Sequence, residues 1–471
     1  MSKPIIVWMR RDLRLSDHPM LTEAAETGRP IIPVFIFDEV MERHGAAPKW
    51  RLGLGAAHFA EALEGIGSRL IFRRGTALKE LRALVQDTGA DAVWWSRLYD
   101  PDSIARDRDV KAGLGDDGIQ AKSFAGHLMH EPWTVETKSG GFYKVYTPFW
   151  NMVKGRNVPD PLRAVSSLAA PESWPTSEAP EKWDLGAAME RGEAVVRPWL
   201  EIGEKAAQTR LATFMRDRIE DYDTARDLPA SGGTSRLSEN LTYGEMSPRS
   251  AWHAGLRARH DGKGGAESFL KELVWREFAY HLAYHTPRIT SGNWREEWDA
   301  FPWNEDERRS EVIAWKRGRT GIRFVDAAMR EMYVTGYMHN RARMIVASYL
   351  TKHLMCHWKI GLKWFEDCLI DWDPASNAMG WQWSAGSGPD ATPYFRVFNP
   401  VTQLDKFDKG RDYVSAWIAE GADAPPETAL SYYDAIPEHW AMSPSDHYPD
   451  PVVTAEDGRK RALEAYEHRE F

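Results

Sequence analysis

The order of its hydrophobic patterns is what most constrains the fold of this chain. Four short runs near its start are apolar, apart from Arg73 at the end of the third, and helical patterns with one apolar face separate them. The four runs cover residues 4–9, 31–37, 70–73 and 92–95. Uninterrupted apolar strands that alternate with helices predict a doubly wound parallel sheet, covered by helices on both faces. We therefore expect an α/β, Rossmann-like domain over residues 1–127.

Beyond residue 200 the pattern is helical only. Ser238, Ser247 and Asp261 are typical of helix starts. Helical periodicity covers residues 266–285, 311–317, 322–335, 340–358 and 362–371. These patterns predict an all-α domain over residues 201–471. The segment 128–200 is rich in Pro, Gly, Ser and Trp, which favours a connector between two domains, and 471 residues are enough for two cores.

The composition argues against several classes of protein. Two cysteines, Cys356 and Cys368, make a disulfide framework or a zinc site unexpected and favour a reducing cytoplasm. No apolar run approaches the ~20 residues that span a bilayer, and no ligand spacing predicts a metal site. A net charge of −9 argues against a non-specific nucleic-acid binder but allows a local basic face. The 22 tryptophans indicate that aromatic chemistry matters.

Two carboxylates, Asn377 and three tryptophans lie close together at 371–383, Asp-Trp-Asp-Pro-Ala-Ser-Asn-Ala-Met-Gly-Trp-Gln-Trp. In one interpretation, Asp371 and Asp373 cap a helix and the tryptophans fill a core. In the other, these carboxylates and Asn377 line a pocket for a large planar redox cofactor, next to a slot for a second flat group. An Asp-x-Asp pair could also hold Mg²⁺ and a nucleotide sugar, but the helical surroundings argue against that.

A second segment favours an anion site. Residues 232–238, Gly-Gly-Thr-Ser-Arg-Leu-Ser, combine glycines and hydroxyls with an expected helix start. Backbone N–H groups and hydroxyls in such a loop can bind a phosphate, and Arg226 could add a cation. An ordinary helix cap with a flexible loop is the alternative. After the first strand, by contrast, the sequence has Arg10-Arg11-Asp12-Leu13-Arg14 and no glycine fingerprint, which does not support a dinucleotide site there.

A third segment could recognise a flat ligand. In a helix, Glu272, Trp275 and Arg276 share one face. A carboxylate acceptor beside an aromatic ring suits a planar ligand with imide N–H donors. The alternative is an i,i+4 ion pair, between Glu272 and Arg276, beside a core tryptophan.

A fourth segment could balance the acids at 371–373. Asn340, Arg343 and Met344 share a helical face. Arg343 is expected to pair with Asp371 or Asp373, because an unpaired buried charge is costly. His339 is expected to pack or to cap a helix.

With these residues the chain resembles the photolyase/cryptochrome family over nearly its whole length. The motifs are Trp-Met-Arg-Arg-Asp-Leu-Arg-Leu-Ser-Asp-His at 8–18, Thr-Ser-Arg-Leu-Ser at 234–238, Trp-Arg-Glu-Phe at 275–278, Met-His-Asn-Arg-Ala-Arg-Met at 338–344, Gly-Trp-Gln-Trp at 380–383 and Tyr-Phe-Arg-Val-Phe-Asn-Pro at 394–400. They occur in the family's order and spacing. The resemblance implies an N-terminal α/β domain and a C-terminal helical domain that holds a U-shaped FAD.

The resemblance also implies roles in binding the cofactor. The residues that it assigns to the FAD phosphates are Tyr222, Thr234, Ser235, Leu237 and Ser238, and Arg236 and Arg276 of the same motifs are also assigned to the cofactor. Asp371 and Asp373 are placed near the flavin ring and ribose, with Arg343 paired to one of them. Asn377 matches the amide that faces flavin N5 in the repair enzymes, where plant cryptochromes have Asp.

Further roles concern the damaged DNA. Animal (6-4) photolyases carry histidines at the positions of Asn340 and Met344, so this chain resembles instead the microbial enzymes of class I/III that repair cyclobutane pyrimidine dimers. The lesion pocket implied is Glu272, Trp275, Asn340, Met344 and Trp383, and the implied DNA contacts are Arg226 and Arg341. Glu272 could accept a thymine N–H, and tryptophan faces could replace the base stacking that an extruded dimer loses.

Two auxiliary functions are implied as well. Trp381, Trp358 and Trp303 match the tryptophans that pass electrons from the surface to oxidised flavin. An antenna pigment could bind the N-terminal domain, where Asp100 occupies the place of a Glu in folate-binding members. Because Asp100 is shorter than that Glu, methenyltetrahydrofolate is a hypothesis here, with a deazaflavin or an empty site as alternatives.

The function implied is light-driven repair: excited reduced FAD gives one electron to a flipped-out dimer, the ring splits, and the electron returns. The rival is a cryptochrome-like blue-light photoreceptor that binds FAD without repairing DNA, and a third hypothesis is a flavoprotein that has lost repair. Asn377, Asn340 and Met344 favour the enzyme, as does an end at Phe471 without a long signalling tail. The expected partner is DNA containing pyrimidine dimers, and a cytoplasmic monomer is expected.

Overall fold

The computed structural model describes residues 2–471, and its first part is a parallel sheet. The five strands are β1 Ile5–Met9, β2 Ile31–Phe37, β3 Ile71–Arg74, β4 Ala92–Ser96 and β5 Gln120–Phe124. They lie in the order β3-β2-β1-β4-β5, and all neighbouring pairs are parallel. The first four strands confirm the predicted apolar runs. β5 was missed because it is an edge strand whose residues are mostly half-exposed, so it carries no apolar run.

Helices cover both faces of this sheet. They are α1 Pro19–Glu26, α2 Glu39–Glu42, α3 Ala46–Glu64, α4 Ala77–Thr88 and α5 Pro101–Asp116. Leu21 of α1 and Phe59 of α3 belong to the core on one face. Leu84 of α4 and Leu114 of α5 belong to the core on the other face. The predicted α/β fold is therefore confirmed, with β1 at the centre of the sheet.

The segment 128–200 contributes to the cores on either side of it. It contains α6 Tyr146–Val153, α7 Glu193–Val196 and short 3₁₀ turns at Pro132–Thr134, Pro180–Trp183 and Arg197–Trp199. Phe149 and Trp150 are buried in the helical domain, whereas Leu168 and Trp183 are buried against the sheet domain. This segment therefore ties the two domains together by packing as well as by connecting them.

The remaining part of the chain is helical. Its helices are α8 Glu204–Asp217, α9 Tyr222–Ala225, α10 Ser238–Thr242, α11 Pro248–His260, α12 Ala266–His285, α13 Ser310–Lys316, α14 Arg323–Thr335, α15 Asn340–Ser348, α16 Trp358–Cys368, α17 Pro374–Ala385, α18 Pro400–Phe407, α19 Asp412–Trp417, α20 Glu427–Ala435 and α21 Ala455–Glu467. Short 3₁₀ turns lie at Pro229–Ser231, Pro287–Thr290, Glu296–Ala300 and Glu438–Trp440. Between Phe124 and Phe471 the structure contains no further strand, only two isolated bridges, which confirms the predicted all-α domain.

Two helix boundaries differ from the sequence prediction. The expected helix over 340–358 passes into a π-helical turn at Tyr349–His353 and stops before Met355, whose φ is +53°. Hydrophobic periodicity continues through this break because both sides are buried. Asp261 ends α11 and does not start a helix, since a glycine-containing loop follows it.

The arginine-rich loop after β1 joins the two domains. Arg11 Nε donates to the carbonyl oxygen of Thr242 at 2.7 Å, and Arg14 Nη1 donates to that of Gly244 at 2.9 Å. Gly244 has φ of +70°, and a Cβ there would lie 2.1 Å from the carbonyl oxygen of Arg11, so the close approach requires glycine. Hydrogen bonds from this loop thus hold the sheet domain against the helical domain. Among residues 2–471, no helix is long and apolar enough to cross a membrane.

Candidate functional site: a cofactor and substrate cavity

One cavity in the helical domain brings together the residues that the sequence singled out. Its volume is about 580 Å³, within the range of small-molecule sites. Its lining includes Tyr222, Arg226, Thr234, Ser235, Arg236, Leu237, Ser238, Glu272, Trp275, Arg276, Asn340, Arg341, Arg343, Met344, Asp371, Asp373, Asn377, Trp381 and Trp383. Segments up to 160 residues apart in the sequence therefore meet at a single site. The residues assigned in the sequence that lie outside this lining are Asp100, Trp303 and Trp358.

The loop before α10 presents free donors to this cavity. Gly232 and Arg236 have φ of +61° and +52°, and a Cβ on Gly233 would lie 2.8 Å from a carbonyl oxygen of α9. In residues 2–471, the backbone N–H groups of Thr234, Ser235 and Arg236 donate no hydrogen bond. Successive free N–H groups beside hydroxyls suit a phosphate. This arrangement favours the anion site over an ordinary helix cap.

Asp371 is held by an ion pair in which one arginine nitrogen contacts both of its carboxylate oxygens. Arg343 Nη2 contacts its two carboxylate oxygens at 2.9 and 2.8 Å, and the hydroxyl of Ser238 donates to it at 2.7 Å. Arg343 Nε also donates to the carbonyl oxygen of Met338 at 2.7 Å. The Asp371 carboxylate is 3% exposed, so it depends on these donors. The sequence left Asp371 and Asp373 as possible partners of Arg343, and in the structure Arg343 pairs with Asp371.

Asp373 both lines the cavity and caps α17. Its Oδ1 accepts from the backbone N–H of Ser376 at 2.8 Å, so both interpretations apply to this residue, the helix cap and the pocket wall. The hydroxyl of Tyr280 donates to its Oδ2 at 2.5 Å, and Arg11 Nη2 lies 3.6 Å away. Arg11 also donates to the carbonyl oxygen of Trp372 at 3.4 Å. The sheet domain therefore supports the cavity wall from behind.

Asn377 and two indoles leave polar atoms for a ligand. The Asn377 side-chain Nδ2 donates to the carbonyl oxygen of Leu362 at 3.1 Å, which leaves Oδ1 for the cavity. The indole N–H groups of Trp372 and Trp381 are buried and have no acceptor in the described chain. Both tryptophans line the cavity. A wall with flat rings and a few polar atoms suits a planar heterocycle.

The opposite wall carries Glu272 and Trp275. Glu272 Oε1 lies 2.6 Å from Nη1 of Arg226, and burial raises the pKa of Glu272 while Arg226 opposes that rise. The Trp275 ring stacks on Tyr146 with centroids 3.6 Å apart and planes 5° apart. Tyr146 therefore braces one face of Trp275. The alternative of an ion pair between Glu272 and Arg276 was wrong, because Glu272 pairs with Arg226, and Glu272, Trp275 and Arg276 line the cavity together.

The rim near α15 is charged. Arg341 Nη2 donates to Asp227 Oδ1 at 2.7 Å, and its guanidinium lies over the ring of Phe407 at 4.3 Å. Asn340, the first residue of α15, is exposed. His339 caps this helix by accepting from the backbone N–H of Arg341 at 3.1 Å, which confirms the expected structural role.

Sequence reasoning missed two aromatic residues of the site. Tyr337 lines the cavity between Arg236 and Arg343, whose guanidiniums lie 4.2 and 5.7 Å from its ring centre. Burial raises the pKa of the Tyr337 hydroxyl. Its position just before the Met-His-Asn-Arg motif was a usable signal. Tyr146 gave none, because it lies in the segment interpreted as a connector.

The three tryptophans of the predicted relay lie on neighbouring elements. Trp381 packs against α16 so closely that a Cβ on Gly361 would lie 2.0 Å from its ring. Trp358 begins the same helix three residues earlier. His357 lies between Trp358 and Trp303, with ring centroids 5.4 Å from each. All three tryptophans are at most 7% exposed.

Two assigned residues have their polar atoms engaged elsewhere. Asp100 caps α5 by accepting from the backbone N–H of Ser103 at 2.9 Å, and it is buried. Its Oδ1 thus serves a helix end, and a contact between Asp100 and a folate stays a prediction. Arg276 lines the cavity, but Nη1 and Nη2 are both 2.9 Å from His127, at its carbonyl oxygen and its Nε2. Arg276 therefore directs its charge towards the sheet domain.

Comparisons with known proteins agree with this architecture. The family model for DNA photolyase matches residues 5–166, and the model for the FAD-binding domain of DNA photolyase matches residues 269–468. A deoxyribodipyrimidine photo-lyase of Agrobacterium fabrum is 44% identical over 98% of this chain and 97% of the relative. Cryptochrome-2 of Arabidopsis thaliana is 32% identical over 99% of this chain and 79% of the relative. The crystal structure of a bacterial class III photolyase from Agrobacterium tumefaciens has a TM-score of 0.90 at 42% identity, covering 99% of this chain and 98% of that one.

Fold, cavity and matches together define a two-domain FAD-binding flavoprotein. The residues fit that cofactor, with free donors for its phosphates at the loop before α10 and a ring-lined wall near Asn377. The chain belongs to the DNA photolyase family.

Proposed function

We propose that this chain is a light-driven deoxyribodipyrimidine photo-lyase that repairs cyclobutane pyrimidine dimers in DNA. The observation that carries the proposal is that Glu272, Trp275, Met344 and Trp383 line the same cavity as the cofactor cradle. A flipped-out dimer and the cofactor would thus share one enclosure, as electron transfer between them requires. Asn377 favours a repair enzyme over a cryptochrome-like photoreceptor. The photo-lyase of Agrobacterium fabrum is also more similar to this chain, at 44% identity, than cryptochrome-2, at 32%.

The protein's part in the reaction is to bind, orient and exclude water. Reduced FAD, when bound and excited by light, supplies one electron to the dimer and takes it back after the ring splits. Trp275, braced by Tyr146, offers a rigid flat surface that replaces the stacking of the extruded bases. Glu272 accepts an imide N–H of the dimer, and Asn340 at the rim accepts or donates to a second pyrimidine group.

The remaining assignments complete the proposal. Residues 1–127 hold the antenna, 128–200 connect the domains, and 201–471 hold the FAD and bind the damaged DNA. Trp381, Trp358 and Trp303 rereduce oxidised flavin. The protein acts on DNA as a cytoplasmic monomer.

A second cavity of the structure offers a site for an antenna pigment. A cavity of about 460 Å³ beside the sheet domain is lined by Trp95, Tyr99, Trp133 and Tyr284. Trp133 is 41% exposed although its ring lies 5.5 Å from that of Tyr284. Flat rings suit a pterin, and the exposed cations Arg108 and Lys111 on the same lining suit the carboxylates of a folate tail. We place methenyltetrahydrofolate here, in preference to a deazaflavin.

Replacing Trp133 with alanine should therefore remove the antenna and leave FAD in place. The test is the pterin released on denaturation of protein made in a folate-replete host, with FAD measured in the same sample. The matched control is Trp174→Ala, which replaces a half-buried tryptophan of the connector that packs against the sheet domain outside this cavity. A wild-type protein without pterin, or a Trp133→Ala variant that retains it, would contradict this site.

Illumination of the reduced protein with damaged oligonucleotides tests the proposed function. We expect loss of cyclobutane dimers and no loss of (6-4) photoproducts, because Asn340 and Met344 stand where the (6-4) enzymes need histidines. The measurement is chromatography of each oligonucleotide before and after blue light, with a dark sample as control. Dimers that survive illumination would favour the photoreceptor.

A further inference from the structure

Both arginines expected to contact DNA are already paired with carboxylates of the protein. Arg226 lies 2.6 Å from Glu272, and Arg341 lies 2.7 Å from Asp227. All four side chains line the cavity that holds cofactor and lesion in the proposed function. Asp227 directly follows Arg226 in the sequence, so the two pairs are adjacent.

These pairs are accessible enough to exchange partners. The side chains of Arg226 and Arg341 are 24% and 17% exposed, and those of Glu272 and Asp227 are 31% and 36% exposed. A DNA phosphate is an anion that accepts hydrogen bonds from a guanidinium, as these carboxylates do. A phosphate that approaches either arginine therefore competes with the carboxylate for its N–H donors and is repelled by the carboxylate's charge.

We propose that Asp227 and Glu272 are specificity-determining residues that compete with DNA phosphates for Arg341 and Arg226, and thereby weaken binding to undamaged DNA. This inference rests on the proposed function. When Arg226 turns to a DNA phosphate, Glu272 loses its hydrogen-bond donors, which costs free energy. An extruded dimer removes this cost, because its imide N–H groups donate to Glu272 in place of Arg226. Undamaged DNA brings no such donors into the cavity, and Glu272 then stays beside the backbone as an uncompensated charge.

The two carboxylates should act differently. Glu272 lies in the lesion slot, where burial already raises its pKa, so losing Arg226 without a replacement donor is unfavourable. Asp227 lies at the rim and is the more exposed of the two, so water can solvate it when Arg341 leaves. Asp227 therefore weakens binding to damaged and undamaged DNA equally, whereas Glu272 weakens binding to undamaged DNA only.

Two charge-removing substitutions separate these effects. For Asp227→Asn we expect about threefold tighter binding to undamaged and to dimer-containing duplexes alike. A change of this size corresponds to the free energy of a partly exposed ion pair. For Glu272→Gln we expect undamaged DNA to bind about threefold tighter but the dimer to bind about tenfold more weakly, because a charge-assisted hydrogen bond is lost. Asp91→Asn, which removes a carboxylate paired with Arg29 in the sheet domain, controls for net charge.

The measurements are dissociation constants in the dark at several salt concentrations for FAD-loaded protein. Asp227→Ser is a second variant, and FAD content and thermal melting verify folding. If Asp227→Asn and Asp227→Ser bind undamaged DNA no more tightly than Asp91→Asn does, or if Glu272→Gln keeps the wild-type preference for the dimer, the competition is overturned. If the wild-type protein neither prefers nor repairs the dimer, the proposed function itself fails.

Discussion

An Arg343→Ala variant is expected to lose its FAD. Arg343 supplies both nitrogen contacts to the Asp371 carboxylate, which is 3% exposed and would retain only the hydroxyl of Ser238 as a side-chain donor. Removing one partner of such a pair costs roughly 3 to 5 kcal/mol, because the remaining charge is buried without compensation. The segment that carries Asp371, Asp373 and Asn377 would shift, and the cavity wall would be lost.

The measurement is the FAD-to-protein ratio after gel filtration, together with the dissociation constant for added FAD. We expect affinity to fall by about two orders of magnitude or more, which corresponds to roughly 3 kcal/mol. Arg343→Lys should bind FAD with intermediate affinity, since it keeps the charge but not the planar guanidinium. Arg411→Ala, which breaks an exposed pair with Asp405, should retain FAD fully. Normal FAD content in Arg343→Ala would show that the pair does not support the cofactor site.

A Trp381→Phe variant is expected to lose photoreduction of oxidised FAD while repair by already reduced enzyme continues. Trp381 lines the cofactor cavity and packs on α16, the helix that begins at Trp358. Phenylalanine is much harder to oxidise than tryptophan but keeps an aromatic ring in the same place. Electron supply to the flavin would stop, whereas the geometry of the lesion slot, formed by Trp275 and Trp383, would remain.

Photoreduction is followed as bleaching of the oxidised flavin under blue light with an external thiol reductant. Repair is measured separately after chemical reduction without oxygen. Trp440→Phe replaces a buried tryptophan outside the cavity and controls for the loss of an indole. Undiminished bleaching in Trp381→Phe would remove this residue from the relay, and loss of repair by the reduced variant would show damage to the cavity.

Secondary structure was predictable from the sequence where burial was uniform. The strands β1, β2 and β4 are almost entirely apolar because helices cover both sheet faces, and Ala266–His285 was predicted with its observed bounds. The edge strand β5 and the π-helical turn at Tyr349–His353 were missed. An edge strand needs no apolar run, and a helix break inside a core leaves the hydrophobic pattern intact.

The membership of the site was also predictable, because its motifs are local. Glycines, hydroxyls and helical faces are properties of a few neighbouring residues, and every segment expected at the FAD or the lesion lines the cavity. Asp100 was the exception among the cofactor-binding residues. Its local setting, a residue before Pro101 at a helix start, indicates a cap as well as it indicates a ligand contact.

The sequence by itself determined the two-domain fold, the cofactor class and the family, because hydrophobic periodicity and motif spacing survive without coordinates. Only the tertiary structure decided the partner of each charge: Arg343 pairs with Asp371, Asp373 accepts from Tyr280, and Arg226 and Arg341 pair with Glu272 and Asp227. A sequence pattern places a side chain on a face of its own helix. Ion pairing depends on distances of a few ångströms between residues that are far apart in the sequence, such as Arg341 and Asp227, and only chain folding sets those distances.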